Sequence, residues 1–383
     1  MKNVPELRFP EFEDGWKLVH LNDLGNFTSG GTPLKTKKSY WNGDIPWLTT
    51  SDINGKKIHK ASNYITQEGL ENSSAKLVYK ESILIAMYGQ GKTRGMSSIL
   101  NFEAATNQAC AIFQTNNDIK FMHQFLRKDY NKLRSLSNDG SQKNLSLTLL
   151  KNHQISVPKL EEQQKVGDFF SKLDRQIELE EQKLKKLEEQ KKGYMQKIFS
   201  QELRFKDENG NNYSEWEYKN FLEIFKLVPS KNHQIKSSEV VENGIIPVVD
   251  QGKDIFLGYS NEKGKAIEDF DNVIVYGDHT TIVKYIKEPF IIGGDGVKLL
   301  TSNDGSLIHY LYILLQHFNV NPEGYKRHYS ILKTKKMNIS NTKEEQEEIG
   351  NFFEKQDNLI EKQSDKVDLL KDRKKGFLQK MFV

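Results

Sequence analysis

Residues 161–200 of this chain recur, without a gap, as residues 344–383. The first copy reads EEQQKVGDFFSKLDRQIELEEQKLKKLEEQKKGYMQKIFS and the second EEQEEIGNFFEKQDNLIEKQSDKVDLLKDRKKGFLQKMFV, at a constant offset of 183. Glu-Glu-Gln, Gly, Phe-Phe, Asp, Ile-Glu, Lys-Lys-Gly and Gln-Lys keep step from Glu161 and Glu344 to Phe199 and Phe382. A match this long at one offset outranks any local motif in deciding architecture, because each copy must be one structural unit used twice. The chain is read as a pseudo-symmetric protein of two units.

The copies have helical periodicity. Apolar residues in the first fall at Val166, Phe170, Leu173, Ile177, Leu184, Leu187, Tyr194 and Ile198, and Glu180 and Lys191 complete a series of alternating four- and three-residue steps. The second gives Ile349, Phe353, Gln356, Ile360, Gln363, Val367, Leu370, Lys374, Phe377 and Met381. Neither copy contains proline, so each predicts a helix roughly 60 Å long. A helix this polar is marginal alone in water, and its seam needs a partner. Two-fold pseudo-symmetry makes the other copy that partner, running antiparallel. A register with Glu180 near Lys374 and Lys191 near Gln363 is then expected, as polar seam pairs that fix alignment more than they stabilise it. The competing reading turns these polar levels toward other subunits.

The helices delimit two intervals that also correspond. Glu6-Leu7-Arg8-Phe9 followed by Trp16 returns as Glu202-Leu203-Arg204-Phe205 followed by Trp216. GDIPWLTTSDI from Gly43 is similar to GIIPVVDQGKD from Gly244, and ESILIAMYGQGKTRGMSSI from Glu81 to DNVIVYGDHTTIVKYI from Asp271. Short strands are predicted at Ile45–Leu48, Ile83–Tyr88 and Ala109–Phe113, with counterparts at Ile246–Val249, Val273–Tyr276 and Val297–Leu300. Helices are expected at Lys120–Leu136 and Leu307–Phe318. The fold class is therefore α+β: two pseudo-symmetric mixed α/β domains, 1–157 and 201–340, separated by two long antiparallel coiled-coil helices, 158–200 and 341–383. The strands are kept between the halves while the loops at their ends diverge, as in two recognition modules with different targets.

At 383 residues more than one core is expected, and 36% hydrophobic with 28% charged residues fits a polar globular chain. A formal charge of +4 is compatible with a polyanionic partner without requiring one. A single cysteine, Cys110, excludes an intrachain disulfide and fits a reducing interior. No apolar segment at the start resembles a secretory signal, and no run approaches the ~18 apolar residues of a membrane span. A cytoplasmic protein without membrane contact is expected.

The motifs argue against catalysis. Ala86-Met-Tyr-Gly-Gln-Gly91-Lys92-Thr93 satisfies a relaxed phosphate-loop pattern, but such a loop must open a helix, and Arg94-Gly95-Met96-Ser97 reads as a hairpin return. The second-half equivalent, Tyr276-Gly277-Asp278-His279-Thr280-Thr281, lacks the lysine. Most Glu-x-Lys matches lie on the heptad helix, where they are solvated face residues, and no Pro-Asp accompanies them. The nine histidines form no zinc spacing, and neither a glycine-rich cofactor fingerprint nor a methyltransferase Asn-Pro-Pro-Tyr motif occurs. No enzyme activity and no cofactor are expected. Nucleic-acid binding fares better. Gln90, Lys92, Thr93 and Arg94 share one turn, and Ser141, Gln142, Lys143 and Asn144 form a polar loop before the closing strand of the first domain. The second-half counterparts are Asp278, His279 and Thr280, and Tyr325, Lys326, Arg327 and His328. Arg, Lys, Gln, Asn and Ser are side chains able to read base edges or grip phosphates, although each alone is also an ordinary surface residue.

Pro158-Lys-Leu-Glu-Glu-Gln-Gln, Lys191-Lys-Gly-Tyr-Met-Gln-Lys-Ile-Phe and their second copies, with Thr106-Asn107-Gln108-Ala109 and Gly140-Ser-Gln-Lys-Asn-Leu145, resemble conserved regions of type I restriction–modification specificity subunits. The resemblance covers essentially the whole chain, twice and in order. In the second domain Gly293-Gly-Asp-Gly296 departs from it, standing where the Thr-Asn-Gln signature falls in the first. The resemblance implies a non-catalytic subunit whose two target-recognition domains each read half of a bipartite sequence in double-stranded DNA. It implies as partners two modification (methyltransferase) subunits, docked on the long helices, and restriction (translocase and nuclease) subunits, with S-adenosylmethionine and ATP bound by those partners. Half-sites on one face of the duplex lie about one turn, ~34 Å, apart, a separation a paired helix can set. A coiled-coil scaffold without DNA binding is the alternative.

Overall fold

The computed structural model describes residues 3–89, 92–136, 144–324 and 326–383. The chain divides into two compact units, Met1–Glu181 with Asp365–Val383, and Gln182–Ser364. Each joins a mixed α/β domain to segments of both long helices, giving the α+β architecture expected of the repeats.

In the first unit an antiparallel sheet orders the strands Gly25–Ser29, Cys110–Thr115, Ile83–Ala86 and Ser97–Ile99. A second sheet orders Asn63–Ile65, Trp41–Leu48, Ala104–Thr106 and Leu77–Val78, with the middle two parallel. Lys17–His20 pairs with Gln154–Val157 beside the long helix. Side-chain alternation explains the layering. Ile83 and Ile85 enter one core with Phe113, Phe121 and Phe170, while Leu84 and Ala86 enter another with Leu48 and Ile112.

The second unit repeats this plan. Phe225–Val228, Val297–Ser302, Ile274–Gly277 and Val283–Lys284 form the antiparallel sheet, and Glu217–Asn220 pairs with Lys336–Ile339. The mixed sheet orders Gln234–Ile235, Ile291–Gly293, Ile246–Val249 and Gly258–Ser260. Its outer strand Gln234–Ile235 runs parallel to its neighbour, whereas Leu77–Val78 in the first unit runs antiparallel. The expected helix at Lys120–Leu136 is two helices, Ile119–Lys128 and Tyr130–Ser135. The chain turns at buried Asp129, whose carboxylate takes a hydrogen bond from His153 Nε2 at 2.9 Å. The other is a single helix, Ile308–Phe318.

The repeats are helices Leu160–Phe199 and Lys343–Lys380. Every position of both predicted seams is buried or half-buried, amid largely exposed neighbours. Inside the first unit Lys374 pairs with Asp174, Lys366 with Glu180 and Lys371 with Glu181, and inside the second Lys191 pairs with Asp357 and Tyr194 meets Phe352 edge-on at 5.1 Å. From 174–374 to 180–366, and from 191–357 to 194–352, one number rises as the other falls, so the helices are antiparallel in each unit. The register differs from the expected one: both lysines meet an aspartate six residues earlier than Glu180 and Gln363. A lysine's four-carbon stem carries its charge away from the seam to an acid on its flank, so matching polar seam levels does not fix alignment.

The repeated Glu-Glu-Gln joins each domain to its helix. Glu162 takes Arg8 in a two-pronged bond at 2.7 Å and the Trp16 indole N–H at 3.2 Å. Glu345 takes the Trp216 indole at 2.7 Å and lies 3.7 Å from Arg204. Gln163 and Gln346 each accept a backbone N–H at the start of the domain helix, from Asp118 at 3.2 Å and Leu307 at 2.9 Å. The helix glycines have the same purpose. A Cβ on Gly167 would lie 2.2 Å from Asp118 Oδ1, and one on Gly350 would lie 3.2 Å from His309 Nδ1. The Glu-Leu-Arg-Phe repeats close the far helix ends: the Leu203 amide donates to the Lys197 carbonyl at 3.0 Å, and the Leu7 amide to the Lys380 carbonyl at 2.8 Å.

Candidate nucleic-acid interface

The residues that lead into the two predicted turns, Met87 and Asp278, are bonded in the same way. The Met87 amide donates to Ala109 O at 2.9 Å and its carbonyl accepts from the Leu145 amide at 3.0 Å. Asp278 repeats both bonds, to Gly296 O and from the His328 amide, each at 2.7 Å. The turn after the central strand is thus bonded, in each domain, to the loop that precedes the closing strand. In the second half the two candidate segments come together through the His328 amide on the Asp278 carbonyl; in the first the described bond joins Met87 to Leu145. Past the turn the backbone takes the left-handed region at Gly95 (φ 83°) and at Thr281 (φ 60°), which glycine adopts freely and threonine only under strain.

In the first domain Lys92 is exposed, and Thr93, Arg94 and Asn144 are half-buried. The Lys92 carbonyl accepts the Tyr130 hydroxyl at 2.6 Å, and Arg94 Nη2 donates to the Arg134 carbonyl at 3.1 Å. Gln90, Ser141, Gln142 and Lys143 lie outside the described residues, as does Tyr325.

In the second domain Lys326 and Arg327 are exposed, while Asp278 and His328 are buried and hold the turn together. His328 Nδ1–H donates to the Asp278 carbonyl at 3.1 Å, and Nε2 accepts the Glu323 amide at 2.9 Å, which places the ring hydrogen on Nδ1. Asp278 Oδ1 accepts the Tyr329 amide at 2.9 Å. His279 Nδ1 bonds the Lys326 carbonyl at 3.1 Å, and Thr280 donates to the Gln251 carbonyl at 2.6 Å. The side chains of Asp278 and His328 are thus spent inside the domain.

Sequence reasoning missed the residues that carry these loops. Gln251 and Asp295 follow the carboxyl ends of two parallel strands and line a surface cavity of about 480 Å³ with Ser237, Glu242 and Asp250. Lys284 is buried, and its ammonium donates to the carbonyls of Asp250 at 2.9 Å and Asp254 at 2.6 Å. Burial pushes that ammonium below its ordinary pKa, against the pull of Asp250. The departure at Gly293-Gly-Asp-Gly296 was the available signal: Gly294 and Gly296 have φ of 84° and 87°, and a Cβ on Gly296 would lie 2.6 Å from Gln251 Nε2. Among the described residues no group of three or more His, Cys, Asp or Glu could hold a metal ion, and no helix is long and apolar enough to cross a membrane.

The chain is 30% identical over 174 residues to the type I restriction enzyme EcoR124I/EcoR124II specificity subunit of Escherichia coli, a match spanning 44% of this chain and 43% of that protein. It is 24% identical over 335 residues to the MjaIX specificity subunit of Methanocaldococcus jannaschii, covering 82% of this chain and 75% of the other. The match thus spans less than half the length of the first relative and three quarters of the second. The fold matches that of the S subunit of a type I restriction–modification system from M. genitalium, with a TM-score of 0.65 at 16% identity over 99% of both chains. A second solved chain, from work on complex assembly and conformational transition of the type I R-M system, gives 0.52 at 15% identity over 97% of this chain and 98% of that one. A family profile described as the type I restriction modification DNA specificity domain matches twice, over residues 13–189 and 213–369. With both halves matched, the chain belongs to the family of type I restriction–modification DNA specificity proteins.

Proposed function

We propose that this chain is the non-catalytic DNA-reading subunit of a type I restriction–modification complex. Domains 1–157 and 201–340 each recognise one half of a bipartite sequence in double-stranded DNA. Helices 158–200 and 341–383 receive two modification subunits, and restriction subunits join that core. The observation that carries this reading is the double match: two DNA specificity domains in one chain, each ending in a copy of the same long helix. Two readers joined in one subunit call for an interrupted target with unlike halves. The exposed cations beside each turn, Lys92 in the first domain and Lys326 with Arg327 in the second, support contact with a polyanion.

Mapping of methylated adenines in cells expressing the chain with its modification and restriction subunits tests the proposal. One interrupted, asymmetric sequence is expected, and replacement of either domain should change one half of it. A complex that assembles yet retains no duplex DNA would make the chain a coiled-coil scaffold instead.

A further inference from the structure

The loops at the reading end of the second domain converge on one side chain. Gln251 Oε1 accepts the His279 amide at 3.1 Å, Gln251 Nε2 donates to the Asp295 carbonyl at 3.3 Å, and the Gln251 carbonyl accepts the Thr280 hydroxyl at 2.6 Å. Three loops, 250–254, 277–281 and 293–296, are thereby tied together, and His279 Nδ1 extends the tie to the Lys326 carbonyl. The backbone is shaped to admit the carboxamide. A Cβ on Gly277 would lie 3.0 Å from Gln251 Cβ, and one on Gly296 between 2.6 and 2.9 Å from its amide group. Beneath, buried Lys284 fixes the loop that carries Gln251 through the Asp250 and Asp254 carbonyls.

The first domain holds its equivalent turn differently. Strand register aligns Leu48 with Val249, so the counterpart of Gln251 is Thr50, which has no carboxamide. There Tyr130 donates to the Lys92 carbonyl and receives Arg134 Nη1 at 3.3 Å. The matching residue in the second domain, Asn319, donates to the Thr281 carbonyl at 2.6 Å. The support from below is shared, and the carboxamide tie belongs to the second domain.

We propose that Gln251 is the positioning residue that sets sequence discrimination by the second domain, holding the 279–280, 295 and 326–327 loops in one arrangement. This rests on the DNA-reading function above. Base readout requires groups held to within about 0.5 Å, and exposed loops reach that only when crosslinked. Gln251 need not touch a base to govern which base is accepted.

The test uses the chain assembled with its modification subunits and duplexes in which each base pair of the selected target is changed in turn. Gln251→Met keeps the volume, removes both carboxamide bonds and adds no charge. Discrimination is expected to fall roughly tenfold or more at positions of one half-target, with the other half, the salt dependence and complex assembly unchanged. Tyr130→Phe should affect the opposite half only. Thr280→Val, which removes the 2.6 Å bond to the Gln251 carbonyl together with the 3.4 Å bond from the Ile282 amide, should act on the same half as Gln251→Met, more weakly, and serves if the latter misfolds. Equal loss in both halves, or full discrimination in Gln251→Met and Thr280→Val, overturns the assignment. An unsubstituted complex that selects no sequence overturns the DNA-reading function itself.

Discussion

His123 lies where its charged form has no solvent. It is buried against the Ser97 carbonyl, 3.1 Å from Nε2, and desolvation, helped by nearby Arg127, lowers its pKa to about 3. In the unfolded chain the imidazole takes its proton near pH 6.5, while the folded chain refuses it until about pH 3. Stability is therefore full above pH 6.5 and falls as pH drops across that window. Thermal melts of His123→Gln, which keeps an N–H for Ser97, should show a shallower decline than the parent between pH 6.5 and 4. On the reading loops, Lys326→Ala with Arg327→Ala should lower DNA affinity across sequences and reduce the salt slope by about 0.9 for each phosphate left unneutralised. An unchanged slope would remove both from the DNA interface. Residue types singled out loops in both domains, and the two of the second domain meet at the Asp278–His328 backbone bond. They did not mark which members turn inward. Asp278 and His328 are held by the amides of Tyr329 and Glu323, and a backbone partner leaves no trace in side-chain identity.

The long helices show the same limit one level up. Their seams were legible position by position, because burial follows the four-three alternation whatever the partner. The alignment was not, since it rests on acids beside the seam. Asp174 is the clearest instance, receiving Lys374, both Arg127 and Gln124 of the domain helix, and so tying three helices together. Burial lowers the Lys374 ammonium to about 8, and Arg127 adds to that, against the pull of Asp174. Asp174→Asn would leave Arg127 and Lys374 facing one another without a counter-charge. A loss of roughly 1–3 kcal/mol is expected, less than for a fully buried pair because the carboxylate is about a third exposed. The Asp174 carboxylate has a lowered pKa in the fold. Its contribution is thus present above the ordinary carboxylate range and lost below it, so the gap between parent and variant in urea unfolding should close as pH falls toward 3. A pH-independent gap would place the effect in packing. The strands were legible as short β-branched and apolar runs closed by Gly, Asn and Asp turns, as at Ile83–Ala86, which is buried on both faces.

At the scale of the molecule the repeat disclosed two related units, and the structure adds that one of them is discontinuous in sequence. Residues 182–364 form a single stretch, whereas the first unit needs residues 365–383 for completion. Phe382 packs on Trp16, Phe121, Phe125 and Phe170, Lys128 Nζ holds the Val383 carbonyl, and the Leu7 amide closes on Lys380. None of this was legible, because pairings between the two ends of a chain leave no local pattern. A chain stopped after Ser364 should keep the second unit resistant to limited proteolysis and expose the first to cleavage near Phe121–Phe125. Equal resistance of both would refute this dependence. The closure of Leu7 on Lys380 therefore has a consequence in time. Residues 365–383 are synthesised after residues 182–364, so the aromatic core of the first unit is expected to close only once the whole second unit has been made. Folding of the first unit is then expected to follow that of the second, and the interval between them is when its aromatic surface stands most open to aggregation.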